Sequence, residues 1–356
     1  MQAIVLSDGK PGHYNQSLGV IQRIPMCNYR WIEVNFRSKW RDNLLRVFMR
    51  LLGGFRLPRR LARACLRITL QQETCNEISS IHRADFILST GSSMAAPNLL
   101  IGQLHNAKTV TCRRPSPVGI TYFDLAILPQ MYWPRRDKSN VCKTIGVPNQ
   151  ICPSKLNAQR KQLQANWGLG NQRRVGVLIG GEDRYDTLTE KTAIRFIEVL
   201  QQLATKLGYQ ILLTTSRRTP LTVEDLIGER LSNARLCPLL VLAHGEGRLA
   251  DPVGTIFALS DLIIVTEDSF SMVCEASSSG KRVIILAVDR KGRRRPKRCC
   301  VYPEIMRRAS VTWTRVEDLE IDLQQAFADE TPIKPLQDTQ IAAKAVTQLF
   351  SGTDYR

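Results

Sequence analysis

A chain of 356 residues, 43% of them hydrophobic, is too long for one core, so two domains of about 150 residues are expected. Fifty Lys and Arg against 32 Asp and Glu give a formal charge of +18, which favours partners bearing phosphate: nucleic acid, anionic lipid or nucleotide-linked substrates. No run approaches the roughly 18 apolar residues of a membrane span, and "MQAIVLSDG" lacks the basic and cleavage regions of a signal peptide, so the chain is expected on the cytosolic side.

Ten cysteines stand at 27, 65, 75, 112, 142, 152, 237, 274, 299 and 300, with no C-x-x-C pair and no histidine placed to complete a ligand set. They read as reduced, mostly buried thiols, and neither metal nor cofactor is expected. A metal site built from distant cysteines stays open as the alternative.

The chain begins with the apolar run "AIVL", a strand, and then "SDGKPGHYNQSLG" (Ser7 to Gly19). Gly9 and Gly12 suit a tight strand-to-helix turn, with Lys10 between them, and His13 would project where ligands gather in open parallel sheets. Histidine takes a proton near neutral pH, as a general base on an acceptor hydroxyl must. A histidine that merely closes the turn fits the same pattern.

"YRWIEVNF" is the next strand candidate, and Phe36 to Leu70 then mixes Leu, Val, Phe and Met with Trp40 and ten basic residues, among them Arg46, Arg50, Arg59, Arg60 and Arg63. Basic amphipathic helices of this kind bind anionic membrane surfaces; the bland reading is helices with an apolar face in the core and arginines in water. "DFILST", "AKTVTC" and "FDLAILP" are further strands. The loop "TGSSMAAP", with Gly91 and Ser92, falls at the carboxyl end of the first of them. Pro148 to Asn171 reads as a linker plus a short helix.

From residue 175 the pattern is regular: "VGVLIGG", "QILLTT", "PLLVLA", "DLIIVT" and "RVIILAV" alternate with helical segments, the signature of a parallel sheet covered on both faces. A Thr187-x-x-Glu190 capping box and Gly208 delimit the first helix. The fold class is therefore α/β, with two Rossmann-like doubly wound domains facing a cleft.

The loop after "DLIIVT" carries the most information. It sets Ser269 and Ser271 at a helix start and Glu275 one turn on, a spacing that suits a nucleotide diphosphate with its ribose hydroxyls on the carboxylate. Ordinary serine capping explains the same residues. Gly180 and Gly181 form a second candidate backbone cradle, or a plain tight turn, and Arg217 and Arg218 follow a strand where paired N–H donors can reach a diphosphate, or simply face water. "RKGRRRPKR" (Arg290 to Arg298) reads as a basic loop after the last strand, open to phosphate-rich ligands, lipid headgroups or nucleic acid.

"SDGKPGHYNQSLG", "TTSRRTP" and "VTEDSFSMVCEASSSGK" together resemble the signature blocks of the plant mitochondrial-fission "elongated mitochondria" family and its bacterial members, in order along nearly the whole chain. The resemblance implies a glycosyltransferase type-B (GT-B) architecture. The second half is also similar to the donor domain of the transferase that adds N-acetylglucosamine to lipid-linked peptidoglycan precursors. That resemblance implies His13 as base, Gly9 and Gly12 as its loop, Ser269 and Ser271 as diphosphate contacts and Glu275 as ribose contact. From the residues themselves, Asp8 is the alternative base if the loop turns differently, Lys10, Gly91 and Ser92 are expected in the acceptor loop with Gly9 and Gly12, and Gly180, Gly181, Arg217 and Arg218 are expected around the diphosphate of the nucleotide sugar.

The resulting expectation is a metal-independent, membrane-associated GT-B glycosyltransferase on the inner face of the membrane, moving a sugar from a nucleotide sugar to a cell-envelope glycolipid such as lipopolysaccharide core. Residues 1–155 would face acceptor and membrane, 172–330 would bind the donor, and 331–356 would form a helix packing back across both. The alternative is a non-catalytic membrane adaptor that recruits a dynamin-like protein partner. Nucleic acid ranks last, since no reader motif and no interleaved aromatics accompany the basic loop.

Overall fold

The computed structural model describes residues 1–52, 54–245 and 249–351; the last five positions of the expected C-terminal segment lie outside them. The chain forms two compact units, one from residues 1–150 together with the stretch from Gln337 onward, the other from Ile151–Leu336.

Unit 1 runs β1 (Gln2–Ser7), α1 (Pro11–Ile21), β2 (Asn28–Glu33), α2 (Lys39–Leu52), α3 (Arg59–Thr69), α4 (Gln72–Ser79), β3 (Phe86–Thr90), α5 (Ala95–His105), β4 (Lys108–Cys112), β5 (Leu125–Pro129) and β6 (Val141–Thr144). Its strands form one parallel sheet in the order β2-β1-β3-β4-β5-β6, with Ala3 level with Tyr29 on one side and Phe86 on the other. Because successive strand side chains point to opposite faces, a parallel sheet buried on both sides needs apolar residues at every position. Ile4, Leu6 and Ile87 accordingly pack with Leu45, Met49, Leu66 and Leu100, while Ala3, Val5, Phe86 and Leu88 pack with Val20, Ile21, Ala342 and Val346.

Unit 2 runs α6 (Pro153–Asn166), β7 (Arg173–Leu178), β8 (Asp186–Thr187), α7 (Glu190–Leu207), β9 (Tyr209–Thr214), α8 (Leu221–Arg230), β10 (Leu239–Val241), α9 (Pro252–Leu259), β11 (Leu262–Thr266), α10 (Phe270–Ser278), β12 (Arg282–Leu286), β13 (Asp289–Arg290), α11 (Tyr302–Arg308), β14 (Val311–Thr314) and α12 (Leu319–Ala328). Its parallel sheet has the order β10-β9-β7-β11-β12-β14, and β8 pairs with β13 as a separate antiparallel ladder. Val175, Val177, Ile211 and Ile264 meet Phe196, Leu200 and Ile227 on one face. On the other, Gly176 lets α9 close in: a Cβ there would stand 2.6 Å from Ile256.

The chain then returns to unit 1 as α13 (Asp338–Gln348). Asp338, buried at the helix start, accepts the Ile145 and Gly146 N–H groups at 2.9 and 2.6 Å, which fixes α13 beside β6.

Four sequence expectations need correction. The cap of α7 is Thr189, which accepts the Thr192 N–H at 3.3 Å, and Thr187 lies in β8 instead. Both outer strands on the same side of the sheets, β6 and β14, have no counterpart in the sequence reading. The basic segment from Arg290 to Arg298 does not follow the last strand, because β14 lies beyond it. Among the ten free cysteines only Cys75, Cys112, Cys237 and Cys274 are buried, and Cys300 is exposed.

Candidate functional site

In open α/β sheets a crevice forms at the carboxyl ends of the strands where strand order reverses. In unit 1 that place lies between β1 and β3, and the loop after each strand supplies one wall. Gly9 has φ +72, a conformation that only glycine adopts readily, and it turns the chain into α1 with Lys10 at the N-cap and Pro11 opening the helix. One turn into α1, His13 Nδ1 comes within 3.0 Å of Asp8 Oδ2, and Lys10 Nζ lies 3.0 Å from the same oxygen. Gly91, at φ +100, faces the imidazole so closely that a Cβ would stand 2.6 Å from its ring atoms. A buried hydrogen bond of 2.8 Å between Ser17 and Thr90 ties the two walls together.

Burial opposes ionisation of Asp8, but the hydrogen bond and charge from His13, then those from Lys10, outweigh it and hold the carboxyl down at about 2. Whenever the imidazole is neutral, an ionised Asp8 selects the tautomer in which His13 Nδ1 donates to the carboxylate, which turns the Nε2 lone pair toward Arg113. Arg113, immediately after β4, places Nη1 3.3 Å from that Nε2 and Nη2 3.3 Å from the Tyr132 hydroxyl. Its backbone sits at φ +76, strain of about 1–3 kcal/mol for a residue that is not glycine, the kind of outlier that collects at functional sites.

The structure therefore brings Asp8, Gly9, Lys10, His13 and Gly91 together and adds Arg113 and Tyr132, which sequence reasoning missed. A signal existed: "TVTCRRP" repeats the strand-then-arginine pattern that singled out "TTSRRTP". Gly12 departs from its expected role. It lies inside α1 with ordinary φ and open space beside it, so the turn does not depend on it. Ser92 is half-buried next to Gly91; its neighbour Ser93 donates to the buried Asp42 at 2.9 Å.

The corresponding reversal in unit 2 lies between β7 and β11. Here Gly180 N–H donates to Thr266 Oγ1 at 2.7 Å and Gly181 N–H to Asp268 Oδ2 at 2.6 Å. The expected phosphate cradle at Gly180 and Gly181 is thus corrected: their donors are already engaged, and the glycines are needed because a Cβ would collide with Asp268 and with the Arg218 backbone. Burial pushes the Asp268 carboxyl up, against the Gly181 N–H, Thr266 and Arg218, whose exposed guanidinium lies 3.6 Å away. Arg217 is exposed beside it.

Beyond Asp268, Ser269 is the N-cap of α10 and makes no side-chain capping bond, which removes the ordinary-cap explanation for it. Ser271 and Glu275 are half-buried on the first two turns. On the far side of the same strand ends, a pair absent from the sequence reading completes the rim. Glu224 of α8 is buried and accepts from His244 Nδ1 at 2.9 Å and from the Ala243 and His244 N–H groups, after β10.

The basic loop is also corrected in part. Arg290 pairs with the buried Asp186 at 2.8 Å and with Glu267 at 3.3 Å, Arg298 pairs with Asp183 and Asp186, and Lys291 pairs with Glu182. Three of its seven basic side chains therefore fasten the loop to unit 2 and are not free for a partner.

Comparison with known proteins agrees with this architecture. The uncharacterized protein RP120 of Rickettsia prowazekii (strain Madrid E) is 29% identical over 321 residues, spanning 80% of this chain and 83% of the relative. Among solved structures, a UDP-N-acetylglucosamine 2-epimerase from Listeria monocytogenes, itself so named by inference, superposes with a TM-score of 0.59 at 11% identity, covering 100% of this chain and 98% of the other. The UDP-GlcNAc 2-epimerase of Neisseria meningitidis, solved with UDP-GlcNAc bound, gives 0.55 at 13% identity over 99% and 100%. The shared fold is the GT-B-like arrangement of two parallel-sheet α/β domains. The family model described as "Mitochondrial fission ELM1" matches residues 11–350, and the chain belongs to that family.

Proposed function

We propose that the protein is a membrane-associated GT-B-type glycosyltransferase that moves a sugar from a nucleotide-sugar donor to a glycolipid acceptor of the cell envelope. The observation that carries the reading is the Asp8–His13 pair, a carboxylate-oriented imidazole whose second nitrogen meets, among the described residues, only the exposed Arg113 guanidinium, at the strand-order reversal of unit 1. In the proposed reaction His13 Nε2 takes the proton of an acceptor hydroxyl as its oxygen bonds to the anomeric carbon. The bond from that carbon to the diphosphate breaks, and the diphosphate leaves with the electron pair. Arg113 is suited to hold the acceptor at Nε2. Ser269, Ser271 and the α10 N-terminus, with Arg217 and Arg218, are suited to the departing diphosphate, and Glu275 to the ribose.

A nucleotide sugar as donor draws support from the bound UDP-GlcNAc in the Neisseria structure, which shares the fold. The membrane part rests on unit 1. Trp40, Leu44, Val47 and Leu51 recur on one face of α2 and are all exposed, Leu51 to 69%, while Asp42, Leu45 and Met49 occupy its buried face. Phe55, Leu61 and Ile68 extend the exposed apolar set beside the exposed Arg60 and Arg63. By contrast Arg46 is held by Asp42, Arg50 by the Pro117 carbonyl and Arg59 by the Leu104 carbonyl, so the apolar stripe rather than those three arginines supports lipid binding. Among the described residues no helix is long and apolar enough to cross a membrane.

Calorimetric titration with a panel of nucleotide sugars tests the donor assignment: Glu275→Ala should weaken the best binder by about tenfold or more, in line with the loss of a charge-assisted hydrogen bond. Unchanged affinity contradicts it, and tight binding with no turnover on any glycolipid favours the adaptor reading that the family's name carries. For the membrane face, Leu44→Glu with Leu51→Glu should abolish co-sedimentation with anionic vesicles. Equal sedimentation of variant and wild type contradicts that part.

A further inference from the structure

We propose that unit 2 carries a second anion site, separate from the start of α10, that holds the diphosphate of a ligand whose remaining part is apolar or ring-bearing. A cavity of about 490 Å³ opens at the carboxyl ends of β11, β12 and β14, walled on its outer side by α11. Its lining holds one carboxylate, Glu267, against four guanidinium groups, Arg290, Arg293, Arg295 and Arg315.

The carboxylate is already satisfied from within the fold. Glu267 is buried, and it accepts from Trp313 Nε1 at 3.0 Å, Arg290 Nη2 at 3.3 Å and the Val288 N–H at 3.4 Å. Arg290 is likewise spent on Glu267 and Asp186. Arg293, Arg295 and Arg315, all exposed, make no ion pair with any described residue. Three guanidinium groups lining one cavity whose single carboxylate is already taken by Arg290 and Trp313 repel one another until an anion joins them, and their planar forks match phosphate oxygens in pairs.

The rest of the lining is of another character. Trp313, Tyr302, Pro303 and Met306 present rings and a thioether next to the arginines. Tyr302 is anchored there by its hydroxyl, which donates to the Glu267 carbonyl. The rings therefore belong to the packed fold and form a preformed apolar surface rather than a mobile one. A diphosphate of two or more negative charges suits the arginine side, and its organic tail suits the aromatic side. A lipid diphosphate and a nucleoside diphosphate share this chemistry.

The test is calorimetric titration of the full chain with inorganic pyrophosphate, geranyl diphosphate and UDP, in wild type, in Arg293→Ala with Arg315→Ala, and in Arg217→Ala with Arg218→Ala, which removes the two guanidinium groups beside the start of α10. All four arginines are exposed, so their truncation leaves the core intact, which an unchanged melting temperature verifies. Pyrophosphate should bind wild type and the Arg217/Arg218 variant alike and lose at least tenfold in the Arg293/Arg315 variant. In the Arg217/Arg218 background the organic diphosphates should bind more tightly than pyrophosphate, geranyl diphosphate leading for a lipid source and UDP for a nucleotide source. The proposal is overturned if pyrophosphate fails to bind wild type, if the Arg293/Arg315 variant binds it unchanged, if the Arg217/Arg218 variant abolishes its binding, or if the organic tails add nothing.

Discussion

The two sheets reverse strand order at comparable places, between β1 and β3 in unit 1 and between β7 and β11 in unit 2, yet the loops there are furnished in opposite ways. In unit 1 the reversal holds a histidine within hydrogen-bond reach of a carboxylate on one nitrogen and of an arginine on the other, with a glycine clearing room for the imidazole. In unit 2 the same position is sealed. The glycine N–H groups are donated to Thr266 and Asp268, and the open polar groups are displaced outward onto α10 and the loop after β9. Topology thus selects where a crevice forms, and residue type decides which polar groups stand in it.

The strongest way to break that contrast is Asp8→Asn. An amide no longer fixes the His13 tautomer, so kcat of sugar transfer should fall about 10²-fold or more while donor affinity holds. The same substitution has an acid-stability signature. The folded Asp8 carboxyl lies at about 2, below its ordinary 3.8, so its stabilisation is present above that ordinary value and is lost as pH falls toward 2. The melting temperature of the wild type should therefore converge on that of Asp8→Asn across that window; parallel curves contradict the pairing.

Unit 2 is sharpened by Gly180→Ala. A methyl group there meets the buried Asp268 carboxylate, and overpacking of this kind costs about 3 kcal/mol in chemical denaturation. A loss below about 1 kcal/mol would mean the crevice is looser than its hydrogen bonds indicate.

Much of this was legible in the chain itself. Ten of the twelve strands in the two large sheets have a counterpart in the sequence reading, and eight of them contain a continuous apolar run, because parallel strands buried on both faces leave no polar alternation to confuse the reading; β2 (NYRWIE) and β4 (KTVTC) mix in polar residues. The two that escaped, β6 and β14, are outer strands with one neighbour each; "VCKT" and "VTWT" are too short and too half-exposed to stand out. The family was legible from three separated motifs, and His13 from its turn. Arg113 and Tyr132 were not singled out, since the meeting of Arg113 with His13 and of Tyr132 with Arg113 depends on β4 lying next to β3 and β5 next to β4, pairings no local pattern encodes. The spent donors of Gly180 and Gly181 were hidden for the same reason: Asp268 lies 87 residues away from Gly181.

The account stands or falls most directly on His13. Release of nucleoside diphosphate from the nucleotide sugar identified by calorimetry, measured with a glycolipid acceptor at saturating donor, should drop by about 10²–10⁴-fold in His13→Ala with donor affinity unchanged. Turnover in His13→Ala equal to that of the wild type would contradict the assignment of unit 1 as the source of the base.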